Sequence, residues 1–204
     1  MHIGVTGEEA LAHPTQDTVH KAQDIPIFHG WDNQIPTEVT LDLSLEHKGR
    51  FDMVKTENSK FSIDGYHESG LQVGNFRTAA ILGAQFRGGY NLPIEYSGPR
   101  ISLNSYTQRP NIEGAETTGK FSAYLLSGFR GSAVAHDISL DGPIFNDEFH
   151  TEVEREVLVA EAYLGFGLRW RRVELSYAHT WRSREFDKQD NWQDFGSVSL
   201  RYSF

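Results

Sequence analysis

The alternation of apolar and polar residues along the chain is the feature that most restricts its fold. The clearest example is SVSLRYSF at the end of the sequence, where residues 198, 200, 202 and 204 are apolar and the residues between them are polar. Two more alternating stripes, near 156–170 and 173–186, are separated only by Arg171 and Arg172. This pattern predicts long β-strands with two chemically different faces, and the two-residue spacing predicts a hairpin.

The same alternation, with more noise, predicts about seven strands in total. Several would be much longer than the usual strand of about five to six residues. The predicted strands lie near 39–50, 58–73, 76–90, 119–135, 156–170, 173–186 and 194–204. Residues 8–23 lack the alternation and predict one short helix, started or interrupted near Pro14 with Thr15 as a possible N-cap.

Two β architectures are consistent with these strands. The mean hydropathy is only −0.48, although 12% of the residues are aromatic. A transmembrane barrel has this profile because lipid-facing apolar residues alternate with polar residues that face the lumen. Aromatic residues at 163, 170, 177, 181, 192, 202 and 204 would then form the interfacial girdles. In a soluble β-sandwich or lipocalin-like barrel, the same apolar stripes would face an internal core.

Composition excludes several functions. The formal net charge of −9 provides no basic surface for nucleic acid, and the absence of cysteine excludes thiol nucleophiles, zinc–thiolate sites and disulfides. No apolar run reaches the ~18 to 20 residues of a membrane helix. The first 30 residues contain acids, histidines and prolines rather than the basic start and apolar run of an export signal.

Gln16 and His20 are the strongest catalytic candidates. Four residues apart on a helix, they share one face, so a neutral imidazole could accept a proton from water while the amide orients that water or an ester. A solvated helix face is the alternative. Asp137, Asp141 and Asp147 offer oxygen ligands to a cation such as calcium. Their spacing does not match an EF-hand loop, and this mismatch favours the interpretation that they are solvated loop carboxylates.

Long segments of the sequence resemble one family, the outer-membrane lipid A 3'-O-deacylases. They are TQDTVHKAQDIPIFHGWDNQIPTE, GNFRTAAILGAQFRGGYNLP, GPRIS, ISLDGPIF, LSYAHTWRSREF and GSVSLRYSF, and they span nearly the whole chain in order. The terminal Phe204, preceded by Tyr202 and Leu200, also resembles the signature by which bacterial outer-membrane barrels are recognised for assembly. The resemblance implies a twelve-stranded antiparallel transmembrane β-barrel in the bacterial outer membrane, with one short helix in an extracellular loop. It implies lipid A, or lipopolysaccharide, and the barrel-assembly machinery as partners.

The resemblance also implies an activity and its residues. The family hydrolyses the 3'-linked acyloxyacyl ester of lipid A with calcium, and its catalytic His and Gln correspond to His20 and Gln16. No calcium ligand is identified in this chain. The GWDNQ segment follows this pair in the sequence. It supplies supporting candidates that would shape the helix base or the lipid contact: Trp31, Asp32, Asn33 and Gln34. A purely structural turn is the other interpretation of that segment.

The sequence departs from the family pattern at its start. In the family, an Asn–Asp pair and other site groups precede the helix, whereas here only MHIGVTG does, and the later pair Asn146 and Asp147 is not assigned their role. We therefore expect residues 1–204 to be a single domain, the C-terminal part of a longer barrel with little activity alone. A smaller barrel of eight strands would require Met1–Gly7 to form a strand.

Two functions from other classes remain open at this point. A non-enzymatic outer-membrane barrel, acting as a pore or scaffold, would keep the terminal stripes but would not depend on His20. A soluble barrel that binds a small apolar ligand would refold without detergent.

Overall fold

The chain forms one antiparallel sheet in which each strand pairs with its neighbours in sequence. The computed structural model describes residues 1–55, 60–93, 121–146, 149 and 151–202. The strands are β1 (His2–Val5), β2 (Val39–Lys55), β3 (Phe61–Gly74), β4 (Arg77–Tyr90), β5 (Phe121–Asp137), β6 (Leu158–Trp170), β7 (Val173–Arg182) and β8 (Gln193–Tyr202). The described connections contain helices α1 (Ala12–Gln23) and α2 (Ile138–Asp141) and the 3-10 turns Glu8–Ala10 and Trp31–Asn33.

The predicted all-β antiparallel class and its seven strands are confirmed. β2 continues beyond residue 50 to Lys55, which lies opposite Ser62. β7 ends at Arg182 rather than at 186, because the chain leaves the sheet soon after the Ser183 N–H has donated to the carbonyl of Ala160. Residues 2–5 form the short strand β1, with Val5 opposite Val39, so the sheet has eight described strands.

The two ends of the sheet differ in their connections. At one end, Arg171 and Arg172 form the predicted two-residue turn, with Arg171 in the left-handed region at φ 54°. We call this the hairpin end. The opposite end carries α1, α2 and the β3–β4 turn at Asn75 and Phe76, and we call it the helix end. The predicted long connection at 91–118 joins β4 to β5, and its residues 94–118 lie outside the described residues.

Burial on the sheet is inverted relative to a water-soluble protein. Leu125 and Leu200 are 68% and 74% exposed, whereas Gln85 and Arg87 on the opposite face are 0% and 1% exposed. An apolar outer face of this extent is stable only against lipid or another apolar partner. This finding contradicts the soluble barrel, whose apolar stripes would face an internal core. Among the described residues, no helix is long and apolar enough to cross a bilayer.

Tyr163 is a correction to the predicted aromatic girdle. It lies on the inner face, 4% exposed, because its neighbour Leu164 belongs to the outer stripe. Trp170 and Tyr202 do lie exposed on the outer face at the hairpin end, whereas Phe204 is outside the described residues.

Polar side chains on the inner face bond to one another across the curved sheet. The hydroxyl of Tyr163 on β6 donates to Gln85 Oε1 on β4 at 2.9 Å. The hydroxyl of Tyr124 on β5 donates to Glu174 Oε1 on β7 at 3.1 Å. Both bonds span an intervening strand, and both satisfy polar atoms that are buried away from water.

Tyr124 also covers a glycine, which yields a first prediction. A Cβ at Gly167 would overlap the Tyr124 ring. We expect Gly167→Ala to lower the free energy of unfolding by about 1–3 kcal/mol, because overpacking displaces the ring and its hydrogen bond. Urea unfolding in detergent micelles, followed by tryptophan fluorescence, measures the loss. A Cβ at Gly131 would meet nothing within 4 Å, so Gly131→Ala is the matched control, and equal midpoints for both variants would contradict the packing account.

Candidate functional site

Helix α1 carries both catalytic candidates. It begins at Ala12, before the predicted N-cap Thr15. Leu11 occupies the N-cap position in the left-handed region at φ 57°. The Thr15 hydroxyl instead donates to the Leu11 carbonyl at 2.7 Å from within the helix, so the predicted N-cap at Thr15 is wrong. Pro14 falls in the first turn, where its missing N–H would have had no partner in the helix.

His20 is held in one orientation by the chain that follows α1. Asp24 is left-handed at φ 55°, and the Ile25 N–H donates to the His20 carbonyl at 2.9 Å, which turns the chain back over the helix. Pro26 O then lies 2.8 Å from His20 Nδ1. Because a carbonyl oxygen can only accept, this bond assigns the proton to Nδ1 and leaves the Nε2 lone pair of the neutral ring available. The Phe28 ring packs edge-on against the imidazole at 5.1 Å between centroids.

Gln16 and His20 lie on the same face of α1, as their spacing predicts. Both are half-buried, whereas Thr18, Val19 and Lys21 are exposed. In the described structure, no hydrogen bond joins the two side chains, so they share a helix face without bonding to each other.

Asp17 is a residue on this face that the sequence analysis missed. Its carboxylate lies 3.8 Å from His13 Nε2 and 3.6 Å from Lys21 Nζ, the two neighbours one helical turn away on either side. The spacing of residues 13, 17 and 21 was a signal that could have identified this row.

The GWDNQ segment supports the start of the helix, and no hydrogen bond, ion pair or ring contact joins it to His20 in the described structure. Trp31 begins a 3-10 turn, and its ring stacks on His13 at 5.2 Å and 16°. Asp32 and Asn33 are exposed, and Gln34 is half-buried. Trp31 thus braces the first turns of α1, which fits its predicted place at the helix base. The role of all four residues in a site stays a prediction.

Residues 6–38, which we call the α1 segment, are closed at their base by two contacts. Thr6 N–H donates to Glu38 O at 2.9 Å, and the Glu38 N–H donates to Thr6 Oγ1 at 3.1 Å. The Thr37 hydroxyl donates to the Glu9 carboxylate, which lowers the pKa of Glu9 below its usual 4.5. Because the shift is downward, this contact stabilises the folded state above that pH and weakens as the pH falls.

The whole chain matches one protein family. A family model described as "Outer membrane protein LpxR" matches residues 1–204. The chain belongs to the LpxR family. A solved structure, LpxR from Salmonella typhimurium, superposes with a TM-score of 0.79 at 17% sequence identity. The match covers 99% of this chain and 65% of that one, and no curated protein matches the sequence.

Membership of the LpxR family decides the location and the fold. The chain is an outer-membrane protein, as predicted, and its antiparallel sheet is the fold of the Salmonella LpxR structure over the shared length. The inverted burial agrees with a position in the outer membrane, because the exposed apolar residues of the outer face would contact lipid.

The described residues of this LpxR-family chain contain no cluster of His, Asp or Glu side chains that could hold calcium. Calcium takes about six to eight oxygen ligands, and no group of three His, Asp or Glu side chains in the described ranges could hold a metal ion. Asp137 caps α2, with its Oδ1 accepting from the Ser139 N–H at 3.1 Å, and Asp141 pairs with Arg155 at 2.8 Å. Asp147, the third predicted loop carboxylate, lies outside the described residues.

Proposed function

We propose that this protein is an outer-membrane lipid A 3'-O-deacylase in which His20 is the general base. The observation that carries the proposal is the bond between His20 Nδ1 and Pro26 O, which leaves Nε2 free to take a proton. Two further observations support the proposal: the chain belongs to the LpxR family, and Gln16 lies half-buried on the same helix face.

The reaction is the hydrolysis of one ester. His20 Nε2 removes a proton from water as the water oxygen attacks the acyl carbonyl carbon. The tetrahedral intermediate then expels the 3'-oxygen of the sugar, which takes the proton from the imidazolium. The products are a free acyloxyacyl carboxylic acid, which releases its proton to water at neutral pH, and a lipid A with a 3'-hydroxyl. Gln16 is a supporting group that would orient the water or the ester carbonyl.

The requirement for calcium remains a separate expectation of the family resemblance. No cluster of His, Asp or Glu side chains among the described residues could hold the ion, and none of these residues is assigned to it. The chain also covers only 65% of the Salmonella structure, so the proposed activity is that of the whole protein. We propose no step through the metal.

A pore is the alternative function, and the inner face weighs against it. Gln85, Arg87 and Leu126 on the central strands β4 and β5 are each less than 2% exposed, so side chains occupy the space that a water-filled channel would need. A non-enzymatic scaffold is consistent with this packing, and only the absence of catalysis distinguishes it from the deacylase.

Mass spectrometry of lipid A tests the proposal. The protein would be produced in the outer membrane of a bacterium whose lipid A carries a 3'-linked acyloxyacyl group. We expect the lipid A mass to fall by that group and the released acyl acid to appear. Unchanged lipid A, with the protein folded in the outer membrane, would exclude deacylation of this substrate and favour the scaffold.

A further inference from the structure

Three connections at the helix end meet at one carboxylate, that of Glu38. Glu38 is the last residue of the α1 segment and is only 8% exposed. Its Oε1 accepts from Asn75 Nδ2 at 2.7 Å, and its Oε2 accepts from the Phe145 N–H at 3.1 Å. Asn75 belongs to the β3–β4 turn, and Phe145 follows α2, so the carboxylate joins the α1 segment to two other connections.

Asn75 is itself fixed to the sheet. Its Nδ2 also donates to Val39 O at 2.8 Å, and its Oδ1 accepts from the Leu41 N–H at 2.7 Å. The amide therefore cannot turn away from Glu38 without losing two bonds to β2. The base of the α1 segment is accordingly tied to a rigid part of the sheet.

We propose that Glu38 is a positioning residue that sets where α1, and hence His20, lies relative to the membrane-facing sheet. The inference rests on the proposed deacylase function, because position matters only if His20 acts on an ester. One backbone bond and one bond to the Thr6 hydroxyl join Thr6 to Glu38 at the base of the segment. The Glu38 carboxylate ties that base to Asn75 and to the residues after α2.

The chemistry of the contact explains why a carboxylate suits this position. Two N–H donors point at two separate oxygens, and an ionised carboxylate is acceptor-only at both. Glutamine has the same shape but only one oxygen, so its NH2 group would face a donor. One of the two N–H groups would then lose its acceptor, so Glu38→Gln changes the shape of the side chain little but removes a hydrogen bond.

The first experiment measures the position of α1 directly. The chain contains no cysteine, so spin labels at Val19→Cys on α1 and Gly131→Cys on β5 would be the only two in it. Both sites offer space, since Val19 is exposed and nothing lies near a Cβ at Gly131. Electron–electron distance measurements should give a narrow distribution for the parent protein and a broadened one for Glu38→Gln. An unchanged distribution would overturn the proposal.

The matched control is Glu8→Gln. Glu8 is an exposed acid in the same segment whose side chain has no hydrogen bond in the described structure. The same chemical change there should leave the distance distribution narrow. Asn75→Ala is a second disrupting variant and should broaden the distribution as Glu38→Gln does, in samples whose folded fraction is first checked by tryptophan fluorescence.

The second experiment measures catalysis by the whole protein in mixed micelles with purified lipid A. Displacement of a catalytic group by about 1 Å can cost up to about 10²-fold in rate, so we expect Glu38→Gln to lower kcat by about 10- to 100-fold. The pH profile should stay unchanged, because the His20 base itself is not altered. A merely structural role would instead reduce the folded fraction and leave kcat per folded molecule intact.

The two readouts separate the two proposals. If the parent protein cleaves no lipid A, the deacylase function fails, whereas the distance measurement still decides whether Glu38 fixes α1. If Glu38→Gln broadens the distribution but leaves kcat unchanged, the positioning role is overturned and the deacylase function stands.

Discussion

His20→Ala is expected to abolish most deacylation while the protein still folds in the outer membrane. General-base catalysis contributes about 10²- to 10⁴-fold, and we expect a loss of that size in kcat. The ring is only half-buried on a helix that has no fully buried residue, so its removal should cost little stability. The quantity to measure is the rate of release of the 3'-acyloxyacyl group from lipid A by the whole protein.

Two further variants separate the base from its support. His20→Asn can keep a side-chain N–H near Pro26 O but has no basic nitrogen, so its activity should fall as far as that of His20→Ala. His29→Ala removes an exposed histidine of the same segment and should retain the parental rate. Near-normal activity in both His20 variants would mean that water is activated by another group.

Arg87→Leu is expected to be the most destabilising single change on the inner face. Arg87 and Asp64 form a two-point ion pair, with Nε to Oδ1 at 2.9 Å and Nη2 to Oδ2 at 2.6 Å, and their side chains are 0% and 1% exposed. Removal of one partner from a buried pair leaves an uncompensated charge and costs about 3–5 kcal/mol. Arg50, at 3.1 Å from Asp64, offsets only part of that cost.

Urea unfolding in lipid vesicles or micelles measures the effect, and a second substitution tests its cause. Asp64→Leu combined with Arg87→Leu removes both charges and should recover most of the stability, since Arg50 keeps Asp52 as a partner at 3.0 Å. Arg184→Leu breaks an exposed pair with Glu156 and should cost no more than about 1 kcal/mol. If the double variant is as unstable as Arg87→Leu, the loss comes from packing and not from the unpaired, buried charge of Asp64.

The strands were predictable because alternation is a local property of the sequence. One face meets lipid and the other meets buried polar groups, so β6, β7 and β8 alternate through most of their length, and β2 to β5 do so with more noise. β1 has four residues, too few for periodicity to be distinguished from chance. The error at Tyr163 was avoidable, because its position between Ala162 and Leu164 places it on the inner face.

The candidate site was predictable only in part. The spacing of Gln16 and His20 is a sequence property, and the shared helix face followed from it. The bond from His20 to Pro26 depends on the left-handed residue Asp24, and an aspartate is only a weak local signal for that conformation compared with a glycine. The meeting of Glu38, Asn75 and Phe145 joins residues up to 107 positions apart, a separation that no local pattern encodes.

The hydrogen bonds that span a strand on the inner face have a consequence for the order of assembly. Each strand pairs with its neighbours in the chain, so strand pairs can form one after another. The bonds from Tyr163 to Gln85 and from Tyr124 to Glu174 cannot form until three consecutive strands are in place and the ribbon has curled. They would therefore be late events in folding, and they convert a sequence of flat hairpins into a sheet of fixed curvature.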